Sequence, residues 1–207
     1  MARLSEKQRR EIVALEDSPV SKALFEDVRW SWIWVFVRLY VGLTWLQSGV
    51  GKLTSPAWMG DRAGTALTGF VQGALAQTGG EHPQVQGWYA AFLESVVLPN
   101  AATWGRMVAV GETLVGIALV LGMFTGIAAS FAAFMNVNFL LAGAVSTNPI
   151  LLLLAILLIL AWKTAGWWGV DRWLLPALGT PWRPGLVFRG EPGTHQTTAQ
   201  DRTPTTG

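Results

Sequence analysis

The stretch Trp104-Gly-Arg-Met-Val-Ala-Val-Gly-Glu-Thr-Leu-Val-Gly-Ile-Ala-Leu-Val-Leu-Gly122 decides how this chain folds. It is apolar for most of its length and close to the roughly 20-residue helix that crosses about 30 Å of hydrocarbon. Glu112 lies near its middle. A carboxylate at that depth costs about 3 kcal/mol or more unless it is neutral, hydrated or paired. Glu112 is therefore expected to face the protein interior and to meet a partner on another segment.

Upstream, residues 30–53 read as a first span. Trp30, Trp32 and Trp34 give it an interfacial aromatic belt. Arg38, Gly42, Trp45, Gly49 and Lys52 recur at spacings of three and four and so share one helix stripe. The glycines on that stripe permit close approach of a second helix. Arg38 is the expected partner of Glu112, while Lys52, at the far end, snorkels toward water. Gln47 and Ser48 add polarity beside the stripe.

Downstream, Met123-Phe-Thr-Gly126 reads as a tight turn into a third span at about 126–145. This span holds Asn136 and Asn138, only one of which faces the small-residue stripe of Ala129, Ala133 and Gly143. Pro149 suits the first turn of a helix. A fourth span is expected at about 150–168, opening on a Leu/Ile run and closing at Trp162, Lys163, Trp167 and Trp168. Lys163, Asp171 and Arg172 read as an interfacial anchor. With the quoted stretch as the span 104–122, these elements make a membrane domain over 30–176.

Residues 54–103 separate the first two spans and are punctuated by Pro56, Gly60, Gly64, Gly69, Gly79, Gly80 and Pro83. The apolar patches 66–75 and 85–98 suit short amphipathic helices. A loop this long is usually functional. It is expected to cap the mouth of the bundle, with Trp88, Tyr89 and Phe92 packed down and Pro99-Asn100 resetting the chain before the next span. Residues 1–29 read as an amphipathic arm in which Pro19 restarts a helix after Asp17-Ser18, and residues 177–207 as a flexible tail. Arg3, Lys7, Arg9, Arg10, Lys22 and Arg29 precede the spans and Arg172, Arg183, Arg189 and Arg202 follow them. The cap itself holds only Arg62. The positive-inside rule then puts both termini in the cytoplasm and the cap outside.

Composition agrees with this class. Of 207 residues, 51% are hydrophobic and twelve are Trp, and mean hydropathy is +0.37. The absence of cysteine excludes disulfides and thiolate metal sites. A formal charge of +2 leaves no nucleic-acid footprint. The histidines are His82 and His195, both outside the spans, so no haem or metal is expected within the bundle. The expected fold is an all-α integral membrane protein. It is a four-transmembrane-helix bundle in a bacterial inner membrane, with an extracytoplasmic helical cap and an amphipathic N-terminal arm.

Several short motifs carry a resemblance over roughly 35–176. They are Arg38-x-x-x-Gly42-Leu43, Ser48-Gly49-x-Gly51-Lys52-Leu53, Gly111-Glu112-x-Leu114-x-Gly116, Leu121-Gly122-x-Phe124-Thr125 and Gly169-Val-Asp171-Arg172. In these the chain resembles the DoxX/DoxD family of bacterial and archaeal membrane proteins. The resemblance implies a four-helix membrane bundle. Some members are membrane subunits of thiosulfate:quinone oxidoreductase, and others are linked to oxidative-stress complexes with superoxide dismutase.

A quinone head needs a part-apolar slot, one or two hydrogen-bond donors and a proton route. Glu112 and Arg38 are the catalytic candidates: Glu112 to accept or relay a proton, Arg38 to donate to a carbonyl oxygen. Gln47, Trp45, Asn136 and Lys52 are the candidate quinone-binding residues, with Trp45 placed to stack on the ring. The expected partners are the lipid bilayer, the quinone pool, and another protein subunit or a second copy. The competing reading makes Arg38 and Glu112 a structural pair that fixes helix register, in a non-enzymatic anchor or assembly subunit of a larger complex. A transporter fits less well, because the spans hold little internal polarity.

Overall fold

A computed structural model describes residues 18–179. Most of the expected arm, residues 1–17, and most of the tail, residues 180–207, lie outside the described residues. Among the described residues all regular structure is helical. In chain order the helices are α1 (Pro19–Phe25), α2 (Ser31–Leu53), α3 (Thr65–Leu75), α4 (Gly87–Phe92), α5 (Ala101–Leu121), α6 (Thr125–Leu141), α7 (Asn148–Leu160) and α8 (Asp171–Leu178). Two helical runs, Val28–Leu53 and Gly87–Leu121, are long and apolar enough to cross a membrane. α6 and α7 are apolar but shorter, at 17 and 13 residues.

The helix starts follow local chemistry. Ser18 caps α1 by accepting the Ser21 N–H, with Pro19 in the first turn, where its missing donor costs nothing. Asp27 accepts the Arg29 N–H and caps the 3₁₀ turn Val28–Trp30 that leads into α2. α1 is tied down at several points. Trp34 Nε1 donates to Leu24 O at 2.9 Å, Thr164 Oγ1 donates to Phe25 O at 3.2 Å, and Lys163 Nζ meets Glu26 Oε1 at 3.0 Å.

Packing starts from the glycine stripe of α2. Gly42 lies against Leu119 and Val120, Gly49 against Thr113, and Gly116 of α5 against Leu46. A Cβ on Gly116 would sit 2.5 Å from Leu46 N, so the two backbones nearly touch. α5 also packs on α6, α6 on α7, and α7 returns to α2. Trp34, Val41, Trp45, Leu119, Ala129, Ala132, Ala155 and Leu158 fill the centre of that ring. A second core forms where α3, α4 and the turns after α4 pack together, with Val71, Val85, Tyr89, Leu93 and Ala142 buried.

The chain departs from the sequence reading at three element boundaries. Pro99 does not reset it: α4 runs on through a π turn (Leu93–Val97) and a 3₁₀ turn (Leu98–Asn100) into α5. Pro99 falls in the first turn of that 3₁₀ segment, so no interior bond is lost. α6 stops at Leu141 rather than near 145, and Gly143 (φ 76) and Ser146 (φ 33) then turn left-handed. α7 ends at Leu160 rather than 168, and residues 161–170 fold back as successive turns with Ala161, Thr164, Ala165 and Gly166 buried. Gly166 admits the Asp171 carboxylate where a Cβ would stand. Of the three cap aromatics, Tyr89 is buried and Phe92 half-buried, but Trp88 is turned outward.

Arg38 and Asp171 clasp one end of the ring. Arg38 Nη1 donates to Leu119 O at 2.7 Å and Val120 O at 3.0 Å, and Nη2 donates to Trp168 O at 3.4 Å. The first two are carbonyls of the last turn of α5, where the helical ladder runs out and the negative end of the helix dipole lies; Leu119 O also takes the Gly122 N–H at 3.2 Å. Asp171 does the opposite at the start of α6, accepting Phe124 N–H at 2.6 Å and Thr125 N–H at 2.8 Å. Backbone bonds from Val170 to Leu121 O and from Asp171 to Gly122 O close the clasp. Asp171 is therefore a buried cap and not the interfacial anchor expected from sequence. Lys163 and Arg172 are exposed.

Candidate functional site

The partner of Glu112 is Lys52, not Arg38. Lys52 Nζ lies 2.6 Å from Glu112 Oε2 and donates to Ser48 Oγ at 2.7 Å. Glu112 is 1% exposed and Arg38 2%, yet they serve different elements. The reason is register in an antiparallel pair. Gly49 faces Thr113, and Arg38 lies eleven residues below Gly49, about 16 Å along the helix. That puts the guanidinium at the C-terminus of α5, where the Leu119 and Val120 carbonyls take it up. Lys52 is one turn above Gly49 and folds back onto Glu112. Both cations lie on the same α2 stripe, but it is Lys52, expected to snorkel outward, that turns in.

The ion pair borders a cavity of about 260 Å³. α2 contributes Thr44, Trp45, Ser48 and Lys52, and α5 contributes Val108 and Glu112. Phe139, Ala144, Thr147, Asn148 and Leu151 close the far side, and Trp58, Leu67 and Phe70 from the 54–103 segment form the roof. The walls are chiefly apolar, which leaves the ion pair as the charged feature of the space. Lys52 Nζ also sits 5.2 Å from the centre of the Trp58 ring, a cation–π distance.

The remaining expected residues divide. Trp45 lines the cavity, is 3% exposed, and stacks on Phe139 with ring centres 6.2 Å apart. Its indole Nε1 is buried with no acceptor. Gln47 is exposed on the outside of α2, because it lies two positions from Trp45 and so on a different face. Asn136 is fully buried on the α6 face that also carries Ala128, Ala129 and Ala132, with neither side-chain polar atom bonded. Asn138 lies one face over, accepting the Tyr89 hydroxyl at 3.1 Å. Among the described residues no group of His, Asp or Glu is placed to hold a metal ion.

Sequence reasoning missed Trp58, Phe70 and Phe139, the aromatics that enclose the pair. The one available signal was proximity along the chain: Trp58 follows Lys52 by six residues, across a turn.

The fold and site define a class: an all-helical protein with apolar helices of membrane length, holding an ion pair beside an apolar cavity. Residues 33–183 match the family model described as TQO small subunit DoxD, and the chain belongs to that membrane-associated family. No curated protein and no solved structure matches it.

Proposed function

We propose that this chain is the membrane-embedded small subunit of a quinone-linked oxidoreductase, with thiosulfate as the electron donor named in the family's reaction, and that the Lys52–Glu112 cavity receives the quinone head. The observation that carries this is the placement of one ion pair at the edge of an otherwise apolar, aromatic-walled space. An ionisable group inside a membrane bundle is a functional candidate by default. The pair also lies away from the clasp that holds the helices together.

The cavity chemistry fits a quinone ring. At about 260 Å³ it falls just below the roughly 300–1,000 Å³ of drug-sized sites, a size suited to a single ring. Lys52 Nζ is a donor for a carbonyl oxygen, and the Trp45 ring lines the wall near it. Glu112, opposite Lys52, holds or releases a proton at Oε2. The apolar faces of Trp58, Leu67 and Phe70 shield the pair in part from water, which strengthens each of these interactions. Reducing a quinone to a quinol takes two electrons and two protons. The residues described handle binding and protons, while the electrons come from the donor. The family's description as a small subunit supports a larger partner subunit.

The topology supports the same reading. With the ring of α2, α5, α6 and α7 across the inner membrane and both termini in the cytoplasm, the clasp lies on the cytoplasmic side and the cavity under an outer cap. α7 spans only about 20 Å. The 161–170 turns follow it, with Ala161, Thr164, Ala165 and Gly166 buried in protein and Lys163 and Trp168 exposed, as suits the membrane–water interface.

The test is purification of the full chain in mild detergent, followed by quinone extraction and titration. Bound quinone is expected in the native protein. Glu112→Gln, which keeps the shape of the side chain, is expected to weaken quinone binding by roughly 10- to 100-fold, as befits a hydrogen bond to a charged group. A protein with no bound quinone and no measurable affinity would refute the proposal.

A further inference from the structure

Several polar side chains on the apolar helices fold back onto their own backbone. Thr44 Oγ1 donates to Tyr40 O, Thr54 Oγ1 to Val50 O, Ser130 Oγ to Gly126 O and Asn138 Nδ2 to Phe134 O. Gln47 does not. It is exposed on the outside of α2, and among the described residues its amide has no hydrogen-bond partner. Its depth makes this costly. Gly49 faces Thr113, the midpoint of the stretch Trp104–Gly122, and Gln47 lies two residues from Gly49, about 3 Å along the helix. With α2 across the membrane, the amide sits near the middle of the hydrocarbon, where no water reaches it and an unbonded polar group is expensive.

The surface around Gln47 has a pattern of its own. Phe36, Tyr40, Leu43, Gln47, Val50 and Thr54 are all exposed, and they follow one another at steps of four and three residues in strict alternation. That is the seam of a left-handed helix pair, which repeats every 3.5 residues or about two helical turns. Gly51 beside it has open space where a Cβ would stand, so a second backbone can come close. A single amide in an otherwise uncharged seam is a register device.

We infer that this face of α2 is where two copies of the chain meet, about a twofold axis along the membrane normal that passes close to Gln47. A second copy enters the membrane the same way up, so its Gln47 arrives at the same depth. An amide carries both a donor and an acceptor, and across the axis each Gln47 donates to the Oε1 of the other. Such an interface is isologous. The seam holds no charge, so nothing on it selects an unlike partner. Each copy keeps its own ion-pair cavity, which lies on the other side of α2. This inference rests on the membrane placement of α2 and not on the quinone reading.

The chain has no cysteine, so single cysteines report cleanly. Leu43→Cys and Val50→Cys on the seam, with Ile117→Cys and Phe131→Cys on the exposed faces of α5 and α6, are made in the full chain and oxidised in native membranes with copper phenanthroline. Cross-linked homodimer at the seam positions, and little at the other two, is the expected result. Association in liposomes is then read by energy transfer between labelled copies at falling protein-to-lipid ratio. Gln47→Leu should weaken it by about 5- to 30-fold, as for the loss of an interhelical polar contact in a membrane, and Gln47→Asn, which keeps an amide, should restore most of it. Homodimer cross-linked only through Ile117→Cys or Phe131→Cys, seam cysteines joined to a different protein, a chain monomeric at every ratio, or association unchanged by Gln47→Leu would each overturn the proposal. Ready labelling of the seam cysteines by a membrane-impermeant maleimide would overturn the membrane placement along with it.

Discussion

The two ends of the helical ring each draw in a cation from α2, Arg38 buried and Lys52 half-buried, and they use it differently. At the Arg38 end the guanidinium is taken up by three backbone carbonyls, and its anionic neighbour Asp171 is taken up by two backbone N–H groups. Every contact there joins one chain segment to another. At the Lys52 end the ammonium meets one carboxylate and one hydroxyl, and the pair borders a space. Burial alone does not separate a charge that braces the fold from one that borders a cavity, since Arg38 and Glu112 are nearly equally buried. What separates them is whether the partners are backbone groups the fold must satisfy or side chains that face a cavity.

The sharpest way to break this comparison is Arg38→Met. It strands the terminal carbonyls of α5 and leaves Asp171 without its nearby cation, a loss of about 3–5 kcal/mol for a broken buried charge cluster. The melting temperature in detergent, followed by tryptophan fluorescence, should fall by roughly 10 °C or more. Gly116→Ala comes next. Its added methyl meets the Leu46 backbone, and overpacking of this kind costs about 1–3 kcal/mol. The loss should appear as a lower melting temperature with α2 and α5 forced apart. Glu112→Gln sharpens the contrast from the other end. Its melting temperature should fall by less than half as much as that of Arg38→Met, because Lys52 keeps Ser48 and partial exposure, while quinone affinity drops. Gln47→Leu should do least, within about 0.5 kcal/mol in the stability of one copy and with unchanged quinone affinity, since Gln47 points away from the cavity.

Much of the helical outline was legible. The apolar run around Glu112, the α2 stripe and the glycine spacing all follow from period and composition. Lys52 and Trp45 were placed on the right face by the same rule. Which cation Glu112 meets was not legible, because helix period fixes a face but not the vertical register between two helices. That register is set by Gly42, Gly49 and Gly116 fitting against particular partners, and this appears only in three dimensions. Gln47 was misjudged for the converse reason: its polarity drew attention although its helix angle put it outside. The passage of the helix through Pro99 was hidden because a proline in a first turn and a proline that ends a helix look alike in sequence. Asp171 read as a surface anchor because a buried acid that caps a distant helix leaves no local pattern.

The most direct measurement is a crystal structure of the full chain grown with a long-tailed quinone. The account predicts ring density under Trp58 and Phe70, with an oxygen within hydrogen-bonding distance of Lys52 Nζ. A ring bound at the Arg38 end, or on the outer face of α2 beside Gln47, would contradict it.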